Sequence, residues 1–142
     1  MKKIFFFLAI FFSLALAQGW NSTVQTSINE PNLEKMDLTA NASGIHVLIK
    51  RTSGNIIYYY LNSSGVVNAN KTYTMEADGD FPNIVASNDR VYALYKTSSN
   101  IKGKYSTNGG TSWNNLPNIN TTANLCNGVD AVFEDGYGTH LV

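Results

Sequence analysis

The feature that most constrains this chain is that it repeats itself at an offset of about 45 residues. Arg51-Thr52-Ser53-Gly54-Asn55-Ile56 lies over Lys96-Thr97-Ser98-Ser99-Asn100-Ile101, Tyr60 then lies over Tyr105, and Gly65 over Gly110. A third copy begins near the end, where Gly138-Thr139-His140-Leu141-Val142 reads like Gly44-Ile45-His46-Val47-Leu48. Self-similarity at a fixed period means one supersecondary unit used several times, each copy burying apolar surface against its neighbour.

Periodicity within the unit is that of strands. Arg90 to Lys96 is an apolar and aromatic run between Asn-Asp and Thr-Ser-Ser-Asn turns, and Ile45 to Arg51 is its counterpart. Asn55–Leu61 and Ile101–Tyr105 follow as tyrosine-bearing strands, while Ile84–Ala86 and Val129–Phe133 look like short inner strands. After the leader, no stretch holds an apolar 3.6-residue period over three turns, so almost no helix is expected. The best-defined unit would use strands near 83–87, 90–97, 100–106 and 111–116, and the one before it 36–41, 45–51, 55–61 and 66–74. The expected fold class is all-β, with four-stranded antiparallel blades of a β-propeller, about two and a half of them: 31–75, 76–122 and an incomplete 123–142.

The stretch Ser106-Thr107-Asn108-Gly109-Gly110-Thr111-Ser112-Trp113 closely resembles the Asp-box, or BNR repeat, Ser-x-Asp-x-Gly-x-Ser/Thr-Trp. That motif sits on the hairpin between the third and fourth strands of blades in sialidase-like β-propellers. Asn108 stands where the family usually has Asp. An Asn can still accept from turn amides and tolerates the left-handed conformation, and Gly109 and Gly110 can take positive φ where the hairpin reverses. The resemblance implies a structural role for Ser106, Asn108, Gly110, Ser112 and Trp113, with Trp113 as packing anchor, away from the ligand face. Other copies are degenerate: 61–68 keeps only Gly65 in register, and Gly19-Trp20-Asn21 resembles the end of the motif. On that reading the mature chain opens with an outer strand of the kind that completes the last blade of a ring. A ring of six to eight blades needs more than is present, so the remaining blades are expected in the same longer chain or in other copies.

The N-terminus reads as a secretory leader. Lys2 and Lys3 precede an apolar run from Ile4 to Phe12, small residues follow to Ala17, and Ala15-Leu16-Ala17 offers the small-x-small cleavage pattern. The run falls short of the about 20 apolar residues of a membrane span, and no second one follows. Residues 1–17 are thus expected to be removed, leaving about 125 residues (18–142) as a secreted partial propeller, extracellular or periplasmic.

Composition narrows the functional classes. Ten Lys and Arg balance ten Asp and Glu and are scattered, which argues against nucleic-acid binding. Cys126 is the only cysteine, so no intrachain disulfide is possible, and it reads as a small buried hydrophobe. Five Asn-x-Ser/Thr triplets begin at Asn21, Asn41, Asn62, Asn70 and Asn120 and read as turn chemistry in so Asn-rich a chain. Asp78-Gly79-Asp80 and Glu134-Asp135-Gly136 could offer oxygens to calcium, but acidic turns are usually only solvated; no cofactor or metal site is expected. His46 and His140 hold equivalent repeat positions, which favours packing over chemistry. No catalytic residues are assigned. A sialidase-type hydrolase would need an arginine cluster, an Asp acid/base and a Tyr-Glu pair, whereas only Arg51 and Arg90 occur, and Glu30-Pro31-Asn32-Leu33 stands where the family's Arg-Ile-Pro is expected. Tyr58, Tyr59 and Tyr60 read as alternating strand residues. The expectation is a binding or scaffolding module for an extracellular glycan or protein, the alternative being the N-terminal part of an exo-sialidase-type glycoside hydrolase.

Overall fold

The computed structural model describes residues 27–98, 100–117, 119, 129–134 and 138–141. Its strands fall where β-branched and aromatic runs meet Asn, Ser and Gly turns. Sheet 1 is a four-stranded antiparallel meander of β1 (Leu33–Asn41), β2 (Gly44–Arg51), β3 (Ile56–Leu61) and β4 (Tyr73–Glu76). Sheet 2 repeats it with β5 (Asp80–Ser87), β6 (Arg90–Lys96), β7 (Ile101–Ser106) and β8 (Asn114–Asn115). A further pair, β9 (Ala131–Glu134) and β10 (Gly138–Leu141), forms a separate two-stranded antiparallel sheet. The leader, Trp20, Cys126 and Asp135-Gly136 lie outside the described residues. Among the described residues, no helix is long and apolar enough to cross a membrane.

Two expected strands differ. The fourth strand of the first unit is Tyr73–Glu76 and not 66–74. Asn68 caps a single 3-10 turn at Ala69–Lys71 through its side-chain oxygen on the Asn70 amide, and Val67 pairs with Leu61 as an isolated bridge while its amide donates to Ser27 Oγ. The chain therefore reaches the sheet edge late. In sheet 2 the fourth strand is only Asn114–Asn115, because Thr111 and Ser112 are held in the preceding turn.

Register refines the repeat. Gly44 pairs with Asn41 and Arg90 with Ser87, so the first two strands superpose with a shift of 46 residues, whereas Ile56 and Ile101 keep 45 because the second hairpin is one residue shorter. The shift matters because a one-residue slip exchanges the faces of a strand. With it, Leu38, Ala40, Ile45, Val47 and Ile49 of sheet 1 correspond to Ile84, Ala86, Val91, Ala93 and Tyr95 of sheet 2.

The main core lies between the sheets. Leu48, Ile56, Tyr58, Tyr60 and Met75 of sheet 1 meet Ile84, Val91, Ala93 and Tyr95 of sheet 2, with Ala86 and Trp113 packed against them. Val47, Ile49, Ile57 and Leu61 form a second cluster on the far face of sheet 1, against Ile28 and Val67. The first strands run side by side: β5 lies against β1 and β2, and β9 against β5. A polar ladder joins them. Asp37 Oδ2 accepts from the Ile84 amide at 2.8 Å and from Asn83 Nδ2 at 3.1 Å, and Asn83 Nδ2 also donates to Asp130 Oδ1 at 2.9 Å. The ladder recurs at Met36-Asp37-Leu38, Pro82-Asn83-Ile84 and Val129-Asp130-Ala131.

Candidate functional site

The turn that closes β7 shows how sequence sets one end of the sheets. Ser106 is fully buried; its Oγ accepts from the Gly110 amide at 2.9 Å and the Asn108 amide at 3.2 Å and donates to Asn108 Oδ1 at 2.8 Å. Asn108 Oδ1 accepts from the Ser112 amide at 2.9 Å, and its Nδ2 donates to Ser112 Oγ. Gly109 and Gly110 have φ of 62° and 81°, a region costly for L side chains. A Cβ on Gly110 would run into the Tyr58 hydroxyl of sheet 1. Trp113 stands edge-on to the Tyr58 ring, centroids 4.8 Å apart. The five residues singled out in this stretch therefore form one turn that docks sheet 2 onto sheet 1, and none of them lines the groove described below.

The degenerate copy was more intact than its letters suggest. Asn62 Oδ1 accepts from the Val66 amide four residues on, as Asn108 does from Ser112, and Gly65 has φ of 76°. The signal was the asparagine at a shift of 46, hidden by aligning at 45.

Behind this turn the core holds a buried histidine. His46 Nδ1 lies 2.7 Å from the Tyr58 hydroxyl, while Nε2 has no partner among the described residues. Burial, with the Lys71 charge nearby, lowers its pKa to about 4, so it is a neutral packing residue at pH 7. Burial likewise pushes the Tyr58 hydroxyl far up and that of Tyr95 to about 12. Tyr58 and Tyr60 face sheet 2 and Tyr59 faces away, as alternation requires.

The opposite end of the strands carries a groove of about 430 Å³ between the two repeated hairpins. Thr52, Ser53 and Gly54 line it from sheet 1, Thr97 and Ser98 from sheet 2, with Lys50 and Lys96 at the strand ends and Asp78-Gly79-Asp80 beneath. Gly54, at φ 90°, closes its hairpin, and its carbonyl accepts from the Gly79 amide at 2.8 Å. Thr97 Oγ1 closes the other hairpin by donating to the Asn100 carbonyl at 3.0 Å.

Two of the groove's charges, Lys50 and Asp80, are held in ion pairs. Asp80 Oδ1 takes Lys35 Nζ at 2.7 Å and Lys50 Nζ at 3.4 Å, and Lys50 also reaches Glu34 at 2.9 Å. Burial opposes ionisation of Asp80, but the Lys35 hydrogen bond, the Phe81 amide and the Lys50 charge hold its pKa below the usual carboxylate range. The Glu34 hydrogen bond raises that of Lys50. An acid held ionised in this way is not a proton donor. Phe81 sits at φ 51°, an outlier for a bulky residue, with Lys35 Nζ 3.9 Å from its ring centroid.

The remaining candidates are otherwise engaged. Arg51 holds Glu30 through Nε at 2.8 Å and Nη2 at 2.5 Å, the Tyr59 hydroxyl donates to the same carboxylate, and the Arg51 hydrogen bond keeps Glu30 ionised. Arg90 is exposed at the start of β6. Asp78 and Asp80 lie together under the groove, and no group of three or more His, Cys, Asp or Glu that could hold a metal occurs among the described residues. Of the two histidines, His140 lies on β10, third in its strand as His46 is in β2. Comparison with family models, with curated proteins and with solved structures gave no match.

Proposed function

We propose that the chain is part of a secreted, sialidase-like β-propeller that binds a glycan in the groove between its repeated hairpins. The observation that carries the reading is the groove itself. It is lined by hydroxyls, glycine backbone and balanced Lys and Asp charges, the groups that hydrogen-bond a neutral polyol without demanding a net charge. It also lies about one strand length from the 106–113 turn, since Lys96 and Val91 mark opposite ends of β6 and Val91 pairs with Ser106. That separation supports the expectation that the turn is structural and the other end meets ligand. The side-by-side first strands β1, β5 and β9 support the propeller arrangement.

The hydrolase alternative gains nothing from the described arginines, since Arg51 is bound to Glu30 and Arg90 stands at the other end of its strand. The test is binding of the purified protein to a panel of immobilised glycans, repeated with Ser53→Trp, which fills the groove from an exposed position. The expected result is binding that the substitution abolishes while the circular dichroism of the sheets is unchanged. Binding that survives Ser53→Trp, selective capture of a protein and no glycan, or release of a terminal sugar would each overturn the reading.

A further inference from the structure

Asn108-Gly109 is the only Asn-Gly pair among the described residues, and such a pair carries a reaction of its own. The glycine nitrogen has no side chain beside it to hinder approach. Once it gives up its proton to hydroxide, it can attack Cγ of the asparagine. The N–Cγ bond forms, the Cγ–Nδ2 bond breaks, and ammonia leaves after taking a proton from water. Water then opens the cyclic imide on either side. Cleavage of the new bond gives aspartate, and cleavage of the original peptide bond gives isoaspartate, in which the chain runs through the side-chain carbons. One water is consumed and one ammonia released, with no change of oxidation state.

In the docked turn the groups this reaction needs are held elsewhere. The Gly109 amide, in a buried residue, donates to the Asp89 carbonyl at 2.9 Å. Asn108 Oδ1 is fixed by the Ser112 amide at 2.9 Å and the Ser106 hydroxyl at 2.8 Å, and the Nδ2 leaving group donates to Ser112 Oγ at 2.9 Å. Contacts with sheet 1 hold the same residues in place: the Gly109 carbonyl accepts from Lys71 Nζ, in the turn before β4, at 3.2 Å, and Gly110 lies against Tyr58. Nucleophile and leaving group are therefore freed together, when the turn opens.

We propose that Asn108 is a guarded deamidation site: the docked turn protects it, and each opening of the turn exposes it to irreversible conversion. The two products leave different structures behind. Aspartate keeps the acceptor for the Ser112 amide, and its second oxygen can accept from the Ser112 hydroxyl to which Nδ2 donated, so the turn re-forms. Isoaspartate adds a methylene to the backbone between Ser106 and Ser112, so the bonds from Ser106 Oγ to Gly110 and from Asn108 to Ser112 no longer close together. That branch leaves sheet 2 without the turn that docks it. The inference is independent of the glycan reading.

Loss of the Asn108 amide from the purified protein in mildly alkaline buffer, followed by peptide mass mapping, tests it. Loss at least about tenfold slower in the native protein than in guanidinium chloride is expected. In native buffer Ser106→Ala, which removes the acceptor of the Gly110 amide, should speed the loss at least about fivefold. Val66→Ala, in the separate 62–66 turn, should leave it unchanged. Equal rates in native and unfolded chains overturn the proposal, as does a native rate indifferent to Ser106→Ala. Should Ser106→Ala not fold, the rate in the unsubstituted protein must still rise with urea below the unfolding transition, and a rate flat in urea overturns the proposal as well. After refolding, the aspartate fraction should regain the native thermal midpoint and the isoaspartate fraction should not; an isoaspartate fraction with the native midpoint would show that the turn does not depend on this backbone.

Discussion

Acid should destabilise this protein first through His46. His46 is fully buried beside Tyr58, and its pKa is lowered to about 4 from an ordinary 6.5. In the unfolded chain the imidazole takes up its proton as pH falls through 6.5, while the folded protein refuses it until about 4. The unfolded state therefore binds more protons in that window, and stability falls as pH falls. At about 1.36 kcal/mol per unit, the loss is about 2 kcal/mol at pH 5 and about 3 kcal/mol at pH 4, relative to pH 7.5. The carboxylates of Glu30 and Asp80, whose pKa values are also lowered, add to the loss at lower pH, as they protonate in the unfolded chain below about 4.5. The assay is urea unfolding from pH 7.5 to 4 for the native protein and for His46→Gln, with the His46 ring followed by NMR. The native curve should drop through pH 6.5 to 4 and the variant curve should be nearly flat above pH 5. Equal slopes, or a His46 ring that titrates near 6.5, would refute the reasoning.

Three further outcomes follow from the docked turn and the groove. Gly110→Ala combines positive φ with a collision on Tyr58 and should cost about 2–4 kcal/mol. Gly109→Ala, whose Cβ would meet nothing nearer than Lys71 Nζ at 3.6 Å, should cost only about 1 kcal/mol; equal costs in urea unfolding would mean the turn is not docked. Ser106→Ala leaves the buried Gly110 amide without its acceptor and should cost about 1–3 kcal/mol, read as a lower thermal midpoint. Lys35→Ala breaks a half-exposed ion pair and should change stability by less than about 1 kcal/mol, measured in the same assay.

Strands and turns were legible because apolar alternation and Asn/Gly turns are local signals. Arg90 to Lys96 and its hairpin to Ile101 could be read from those residues alone. What failed was register. The 45-residue match at Arg51/Lys96 placed Leu48 over Ala93, whereas pairing places it over Leu94, because one hairpin lost a residue and the sequence cannot say on which side. That shift concealed both the Asn62 turn and the Asp37–Asn83–Asp130 ladder, whose residues look like ordinary solvated polar positions. The fourth strands were misplaced for a different reason: Asn68 gives its side-chain oxygen and its carbonyl to one turn, and Ser112 its amide and hydroxyl to the other, and these turns compete with the sheet edge. The groove lay beyond sequence reading, since its hydroxyls and lysines come together only when two hairpins and the 78–80 connection meet.

The central claim is that two copies of one unit stack through β1 and β5 and are locked by the 106–113 turn. Nuclear Overhauser contacts between the Trp113 indole and the Tyr58 ring test this most directly, because those residues belong to different sheets and their ring centroids lie 4.8 Å apart. Strong contacts, accompanied by slow exchange of the Ile84 amide, are the result expected of stacked sheets. Their absence in a protein that otherwise keeps its strands would contradict the stacking and everything built on it.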